Sequence, residues 1–309
     1  MKTAIIFPGQ GAQSAGMGLD LYEVSSAAKR IFEEANRILG FDLADLCFHG
    51  PAEKLEQTDI QQPAIFVTSV ATYEAFLERG GKRESFAFAG GLSLGEYTAL
   101  YAAGSFDFQT GLVLVRRRGE LMQEAARTSA GAMASLIGAE AAEAEALCAE
   151  AREGEVLAAA NLNCPGQVVI SGTATAVSRA VGLAEARGWK AVRLAVAGAF
   201  HSPLMQPAAE GLGRMLEGSR IEAPRIPVIR NVDAAYYADA ADIRKGLAAQ
   251  LTSPVLWQRD VERMIADGAE RFIEFGPGRV LTGLMRKIKR GVECVNVSTA
   301  AGIAATAAN

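Results

Sequence analysis

Gly91-Leu92-Ser93-Leu94-Gly95 joins two segments of opposite character. Before it, Phe86-Ala87-Phe88-Ala89 reads as a short buried strand. After it, Glu96 to Ala103 has the composition of a helix, so Ser93 falls on a strand-to-helix turn. That is the arrangement of a nucleophile elbow. Flanking glycines remove the Cβ atoms that so sharp a turn would bring into collision, and the turn lifts the serine hydroxyl above the sheet beside helix N–H groups. The pattern by itself also describes a tight turn that merely contains a serine, so its surroundings carry the decision.

Upstream, Thr3 to Phe7 reads as a first strand that runs into Pro8-Gly9-Gln10-Gly11-Ala12-Gln13. A glycine-flanked glutamine at the end of a first strand lies where open α/β sheets bind ligands, which makes this a candidate oxyanion loop and equally a plain strand-to-helix turn. Leu19 to Leu39 spaces Leu21, Val24, Ala27, Ile31, Ala35 and Ile38 as a surface helix closed by Gly40. Ala64 to Leu77, uncharged before Glu74, predicts a helix buried against a sheet. Downstream, Thr110 to Ala126 predicts a helix carrying Arg116, Arg117 and Arg118. Neighbouring helical positions point about 100° apart, so at most one or two of these face the elbow, and all three in solvent is the other reading. An inward arginine would hold a carboxylate through two parallel hydrogen bonds.

Between Arg127 and Gly198 the pattern changes. Ala132–Ile137, Val156–Asn161, Gln167–Ser171 and Ala191–Val196 read as strands, and Ala139–Arg152 and Ala174–Arg187 as helices, in the order βαββαβ. That order is ferredoxin-like. The expected fold is therefore α/β, with a large α/β-hydrolase-like subdomain formed by residues 1–126 and 199–309 and an inserted smaller ferredoxin-like subdomain at 127–198. The chain returns through Gly198-Ala199-Phe200-His201-Ser202-Pro203. Only two histidines exist, and His49 lies in the turn-like Phe48-His49-Gly50-Pro51, so His201 is the better candidate to deprotonate Ser93. The last section predicts strands at Ile226–Val232 and Arg271–Phe275, with a helix ending near Gln250-Leu251 between them.

With 309 residues, half of them hydrophobic, the chain can bury a large core, and a net charge of −4 argues against nucleic acid as a general partner. Cys47, Cys148, Cys164 and Cys294 lie far apart, without the spacing of a disulfide framework or a zinc site, which fits a reducing cytoplasm and no metal. The apolar run at the start is too short for a signal peptide. The longest uncharged stretch, Val156 to Ser178, contains Asn161, Asn163 and Gln167, so no membrane span is expected.

With these pieces in place, nearly the whole chain resembles the malonyl-CoA:acyl carrier protein transacylases. The matching stretches are Phe7-Pro8-Gly9-Gln10-Gly11, Gln62-Pro63-Ala64, the elbow with Glu96, Arg118-Gly119 with Met122-Gln123, Asn163 with Pro165-Gly166-Gln167-Val168, Phe200-His201-Ser202, Gln250 with Pro254-Val255 and Trp257, and Glu274-Phe275-Gly276-Pro277-Gly278. The resemblance implies ping-pong transfer: malonyl passes from coenzyme A to a serine, then to the phosphopantetheine thiol of an acyl carrier protein. It needs no cofactor, because the coenzyme A thioester is the substrate. Carried over, Ser93 is the nucleophile, His201 its base and Arg118 the arginine that binds the malonyl carboxylate. The N–H groups of Gln10 and Leu94 form the oxyanion hole, a backbone carbonyl near Gln250 orients the histidine, and Gln250, Phe200 and Asn163 belong to the substrate-binding set.

The residue before the serine, commonly histidine in this family, is here Leu92. A stand-alone chain of this kind resembles both the housekeeping enzyme of fatty acid synthesis and the discrete acyltransferases of polyketide synthases, and the housekeeping role is the commoner. Two rival classes are an acyl hydrolase of the same fold that edits carrier proteins, which need not keep Arg118, and a non-catalytic carrier-docking module, which would have no use for Ser93, His201 and Arg118 together.

Overall fold

The structure, a computed structural model, describes residues 1–307. In chain order its strands are β1 Lys2–Phe7, β2 Phe86–Gly91, β3 Gly131–Ile137, β4 Leu157–Cys164, β5 Gln167–Thr173, β6 Lys190–Arg193, β7 Ala269–Phe275 and β8 Glu293–Val297. They form two sheets. The first is parallel, in the order β2-β1-β7-β8, and the second antiparallel, in the order β4-β5-β3-β6.

The parallel sheet is covered on both faces, as parallel sheets require. Alternation along β1 sends Ile5 and Phe7 into a cluster with Tyr73, Phe76, Phe86 and Phe275, while Ala4 and Ile6 face Trp257, Met264, Phe272 and Leu281. The second sheet, with helices Ala141–Ala151 and Ala174–Ala186 on it, closes its own core around Leu136, Leu147, Ile170 and Val177. Its two βαβ crossovers each skip one strand, so the third strand pairs between the first and second, as in a ferredoxin-like sheet. The molecule is thus α/β-hydrolase-like with a ferredoxin-like subdomain inserted in it.

The elbow glycines are explained by backbone contact. A Cβ on Gly91 would lie 2.0 Å from the Gly95 carbonyl carbon, and one on Gly95 would lie 2.1 Å from the Phe7 oxygen. The turn after β2 is therefore packed directly on the end of β1. This brings the loop Pro8–Gln13 beside Ser93 at the carboxyl edge of the sheet, where ligands bind in open α/β folds.

Three elements differ from expectation. Leu19–Leu39 is two helices, Leu19–Val24 and Ser26–Leu39, because Ser25 is extended and its Oγ caps the second by accepting from the Ala28 N–H. The buried helix begins at Thr58 and carries Pro63 inside it. Ile226–Val232 is no strand: it makes isolated bridges, Ala89 with Val228 and Ile229 with Tyr236, and Pro227 lacks the N–H group a ladder needs. No helix is long and apolar enough to cross a membrane among the described residues, and the four cysteines are free.

Gly95→Ala should lower stability by about 1–3 kcal/mol or more, since the methyl has only main chain to displace. Urea unfolding checks this, and an unchanged midpoint would show that the elbow can relax away from β1.

Candidate active site

Ser93 occupies a left-handed backbone conformation, φ 51°, a strain of about 1–3 kcal/mol that persists only where neighbours enforce it. Two side chains do so. The Ser93 N–H donates to Asn231 Oδ1 at 2.7 Å, and its carbonyl accepts from Gln250 Nε2 at 3.0 Å. Asn231 Nδ2 in turn donates to the Gly91 carbonyl at 2.9 Å, so one amide spans the turn. The buried hydroxyl is held at the carboxyl edge of the sheet, 8% exposed.

His201 arrives from the other chain crossing. Gly198 lets that crossing run against the helix Phe108–Thr128, because a Cβ there would lie 2.6 Å from the Ala126 Cβ. His201 is also left-handed, φ 57°. Its Nδ1 lies 2.8 Å from the Gln250 carbonyl, which can only accept, so Nδ1 carries the proton and Nε2 presents a lone pair. That Nε2 lies 2.8 Å from Ser93 Oγ. Burial, with the charge of Arg118 second, pulls the imidazole down to about 4, so it stays neutral near pH 7.

Arg118 is 1% exposed. It falls in the buried stripe Gly111, Val115, Arg118, Met122 and Ala125, whereas Arg116 and Arg117 turn outward and share Glu120 at 2.9 and 3.0 Å. Its Nη1 donates to Gln62 Oε1 at 2.7 Å, and its Nη2 to Gln250 Oε1 at 2.8 Å and Ser93 Oγ at 2.9 Å. Every acceptor is neutral, and Nε has none. The guanidinium also sits over the Tyr97 ring, 5.6 Å from its centroid. A buried cation bonded only to neutral groups is prepared for an anion, and it touches the serine hydroxyl directly.

Ser93 and His201 open into a cavity of about 410 Å³ between the two sheets, and Arg118 lies behind Ser93 without lining it. Ser93, His201, Phe200 and Asn163 line it, together with Gln10, Leu92, Met122 and Met133. The Asn163 Oδ1 is buried there without a partner. Leu94 lies beneath, fully buried, and Gln250 underlies the site without reaching the cavity. Among the described residues, neither the Gln10 nor the Leu94 N–H is spent on a turn hydrogen bond. Leu92 puts an apolar side chain on the cavity wall beside Gly9. His49 is remote: it pairs with Asp45 at 2.8 Å on the surface. The helix Val280–Ile288 contributes Val280 and Leu284 to the wall and carries Arg286 and Lys287 in its last turn, where Lys287 Nζ reaches Gln167 of the other sheet at 3.1 Å.

Asn231, Tyr237 and Asp260 are site residues that motif reading does not find, and Gln62 stands in a matching stretch without a role assigned to it. Asn231 and Asp260 are fully buried. Asn231 falls in the segment whose composition predicts a strand, and a polar residue closing an apolar run is the one sign of it in the sequence.

The family model described as an acyl transferase domain matches residues 4–306. The malonyl CoA-acyl carrier protein transacylase of Bacillus subtilis is 46% identical over 299 residues, 96% of this chain and 93% of that one. The crystal structure of an acyl carrier protein S-malonyltransferase from Vibrio cholerae superposes with a TM-score of 0.95 at 44% identity, covering 99% of this chain and 100% of that one. A malonyl-transacylase solved in complex with its holo type II polyketide synthase acyl carrier protein superposes with a TM-score of 0.96 at 40% identity, over the full length of both chains. A buried serine, histidine and arginine meeting in the cleft of a two-subdomain α/β fold, and similarity of this extent, place the chain in the acyl transferase family.

Proposed function

We propose that this protein transfers malonyl from coenzyme A to the phosphopantetheine thiol of an acyl carrier protein through a malonyl ester on Ser93. The observation that carries this reading is Arg118: a buried guanidinium lacking an anionic hydrogen-bond partner, 2.9 Å from the serine hydroxyl. A malonyl carboxylate entering there forms the charge-assisted bonds the site otherwise lacks.

In the first half-reaction Ser93 Oγ attacks the thioester carbonyl as its proton passes to His201 Nε2. Hydrogen bonds from the Gln10 and Leu94 N–H groups hold the oxygen of the tetrahedral intermediate, with the strained turn keeping the second one aimed. Collapse breaks the carbon–sulfur bond, and His201 returns the proton to the departing coenzyme A sulfur. In the second, His201 takes the proton of the carrier thiol, the sulfur attacks the Ser93 ester, and the proton returns to Oγ. The Gln250 carbonyl supports the imidazolium formed in each half, in the place a carboxylate takes in a serine triad. Phe200 and Asn163 line the path of the acyl thioester.

The reaction requires no cofactor and no metal. It fits a cytoplasmic enzyme of fatty acid synthesis, with polyketide synthesis the neighbouring role. The basic end of the helix Val280–Ile288 at the cavity rim suits an acidic carrier.

Intact-mass measurement after mixing with malonyl-CoA should find a stable malonyl adduct. Ser93→Ala should form none, and His201→Ala should form it at least about a hundred-fold more slowly. Rapid release of free malonate by the wild type would make the protein a hydrolase instead.

The arginine can be tested by substrate comparison. Arg118→Ala should cost malonyl loading roughly 2–5 kcal/mol, while acetyl, which has no carboxylate to pair, should load as well as before or better. Equal losses for both acyl groups would remove Arg118 from carboxylate recognition.

The acid limb of kcat/KM should follow His201. The neutral imidazole is the active form and its folded value lies near 4, so activity should persist as pH falls through 6.5 and fail only toward about 4. An unperturbed imidazole would be only about 3% neutral at pH 5. A half-maximal point near 6.5 in the rate profile would contradict the burial of this group.

A further inference from the structure

Glu96 lies in the first turn of the helix Gly95–Ala102 after the elbow, is fully buried, does not line the cavity and has no part in the steps above. Its Oε2 accepts from Gln250 Nε2 at 2.8 Å and from the Asn231 N–H at 3.1 Å, while its Oε1 accepts from the Tyr237 hydroxyl. Those two partners are the residues that hold the Ser93 backbone from its two sides, Asn231 at the N–H and Gln250 at the carbonyl.

The chemistry of an amide makes this directional. Gln250 has a donating and an accepting end; the Ser93 carbonyl can only accept, and Glu96 Oε2 already accepts from the Asn231 N–H, so Nε2 faces both. Oε1 is then turned to Arg118 Nη2. With the amide reversed, the oxygen would face a carboxylate and a carbonyl, and the NH2 would face a guanidinium. One Glu96 oxygen therefore bonds both residues that hold the serine turn, and one of them, Gln250, also meets the arginine. The backbone carbonyl of the same Gln250 orients His201.

We propose that Glu96 is a positioning residue of the acyl transfer: by fixing Asn231 and the side-chain amide of Gln250, it holds the Ser93 turn and points Arg118 at the acyl group. The proposal rests on the reading of the site as an acyl-serine enzyme.

Two conservative variants separate geometry from charge. Glu96→Gln keeps an acceptor oxygen in place and removes the charge, with its NH2 facing the Tyr237 oxygen. Glu96→Asp keeps the charge and withdraws the oxygens by one methylene. Malonyl and acetyl loading are followed by intact mass, with thermal melting recorded for each variant. Glu96→Asp should load malonyl at least about tenfold more slowly, as expected when reacting groups are displaced by about an ångström. Its malonyl-to-acetyl ratio should also fall, because the arginine is misaimed, and Glu96→Gln should stay within a few-fold of wild type in both rate and ratio. The reverse order, with Glu96→Gln slow and Glu96→Asp normal, would make Glu96 a counter-charge and overturn the proposal. Wild-type behaviour of both variants, or slow loading in both at an unchanged ratio and a lowered melting temperature, overturns it too. Failure of the wild type to form any adduct would refute the acyl-transfer reading itself.

Discussion

The left-handed turn at Ser93 is the constraint on which the rest of the site depends. A non-glycine residue adopts it only if its neighbours cover the cost, and here the N–H and the carbonyl of the same residue are each held by a side-chain amide from a distant segment. Asn231 and Gln250 are fully buried, so these bonds form without competition from water. The glycines on either side let the turn lie on the end of β1, which in turn sets the loop of Gln10 against it. Strain, close packing and the placing of the Gln10 loop beside Ser93 are thus consequences of one tight approach between two strand ends.

Electrostatics in the site follow from burial. Arg118 and His201 are both removed from water and lie close together, and burial and the neighbouring positive charge both push the imidazole toward its neutral form. The imidazole beside the Ser93 hydroxyl therefore stays in the form that can accept a proton at neutral pH, as the proposed transfer requires. Burial also weakens the preference of Arg118 for its own charge, and among the groups that restore it is Glu96, itself pushed up to about 7 by burial. Beneath them Asp260 is held well above the usual carboxylate range, again by burial first and Glu96 second. Burial thus holds both carboxyls of the layer under the serine above the usual carboxylate range, and the guanidinium of Arg118 keeps only neutral hydrogen-bond acceptors.

The two sheets divide the work. The parallel sheet and its helices supply Ser93, Gln10, Arg118 and Gln250, and the returning chain supplies His201. The antiparallel sheet supplies one wall of the cavity through Met133, Asn161, Asn163 and Val169. That wall mixes the apolar Met133 and Val169 with the polar Asn161 and Asn163, while Ser93 and His201 place hydrogen-bonding groups at the floor, so the cleft offers a long thioester both apolar contact and a few placed polar groups.

Local patterns were legible in the sequence because they are set over a few residues. The elbow needs its glycines within five positions, the βαββαβ order follows from periodicity and turns, and Arg118 shares a helical stripe with Val115 and Met122. The boundaries that failed did so where a local cue was overruled: Ser25 caps a new helix, and Pro227 limits Ile226–Val232 to isolated bridges at the sheet edge. Composition showed three adjacent arginines, but only packing decided that one is buried while two share a surface glutamate. Likewise the polar layer beneath the serine joins Glu96, Asn231, Tyr237, Gln250 and Asp260 across more than a hundred and fifty positions of chain. Hydrogen-bond partners so far apart leave no periodicity or spacing to read. The sequence by itself determined the elements and the reactive residue types, whereas their meeting, the tautomer of His201 and the aim of Arg118 were decided by the tertiary structure, because those depend on burial and on donors and acceptors brought together only when the chain closes.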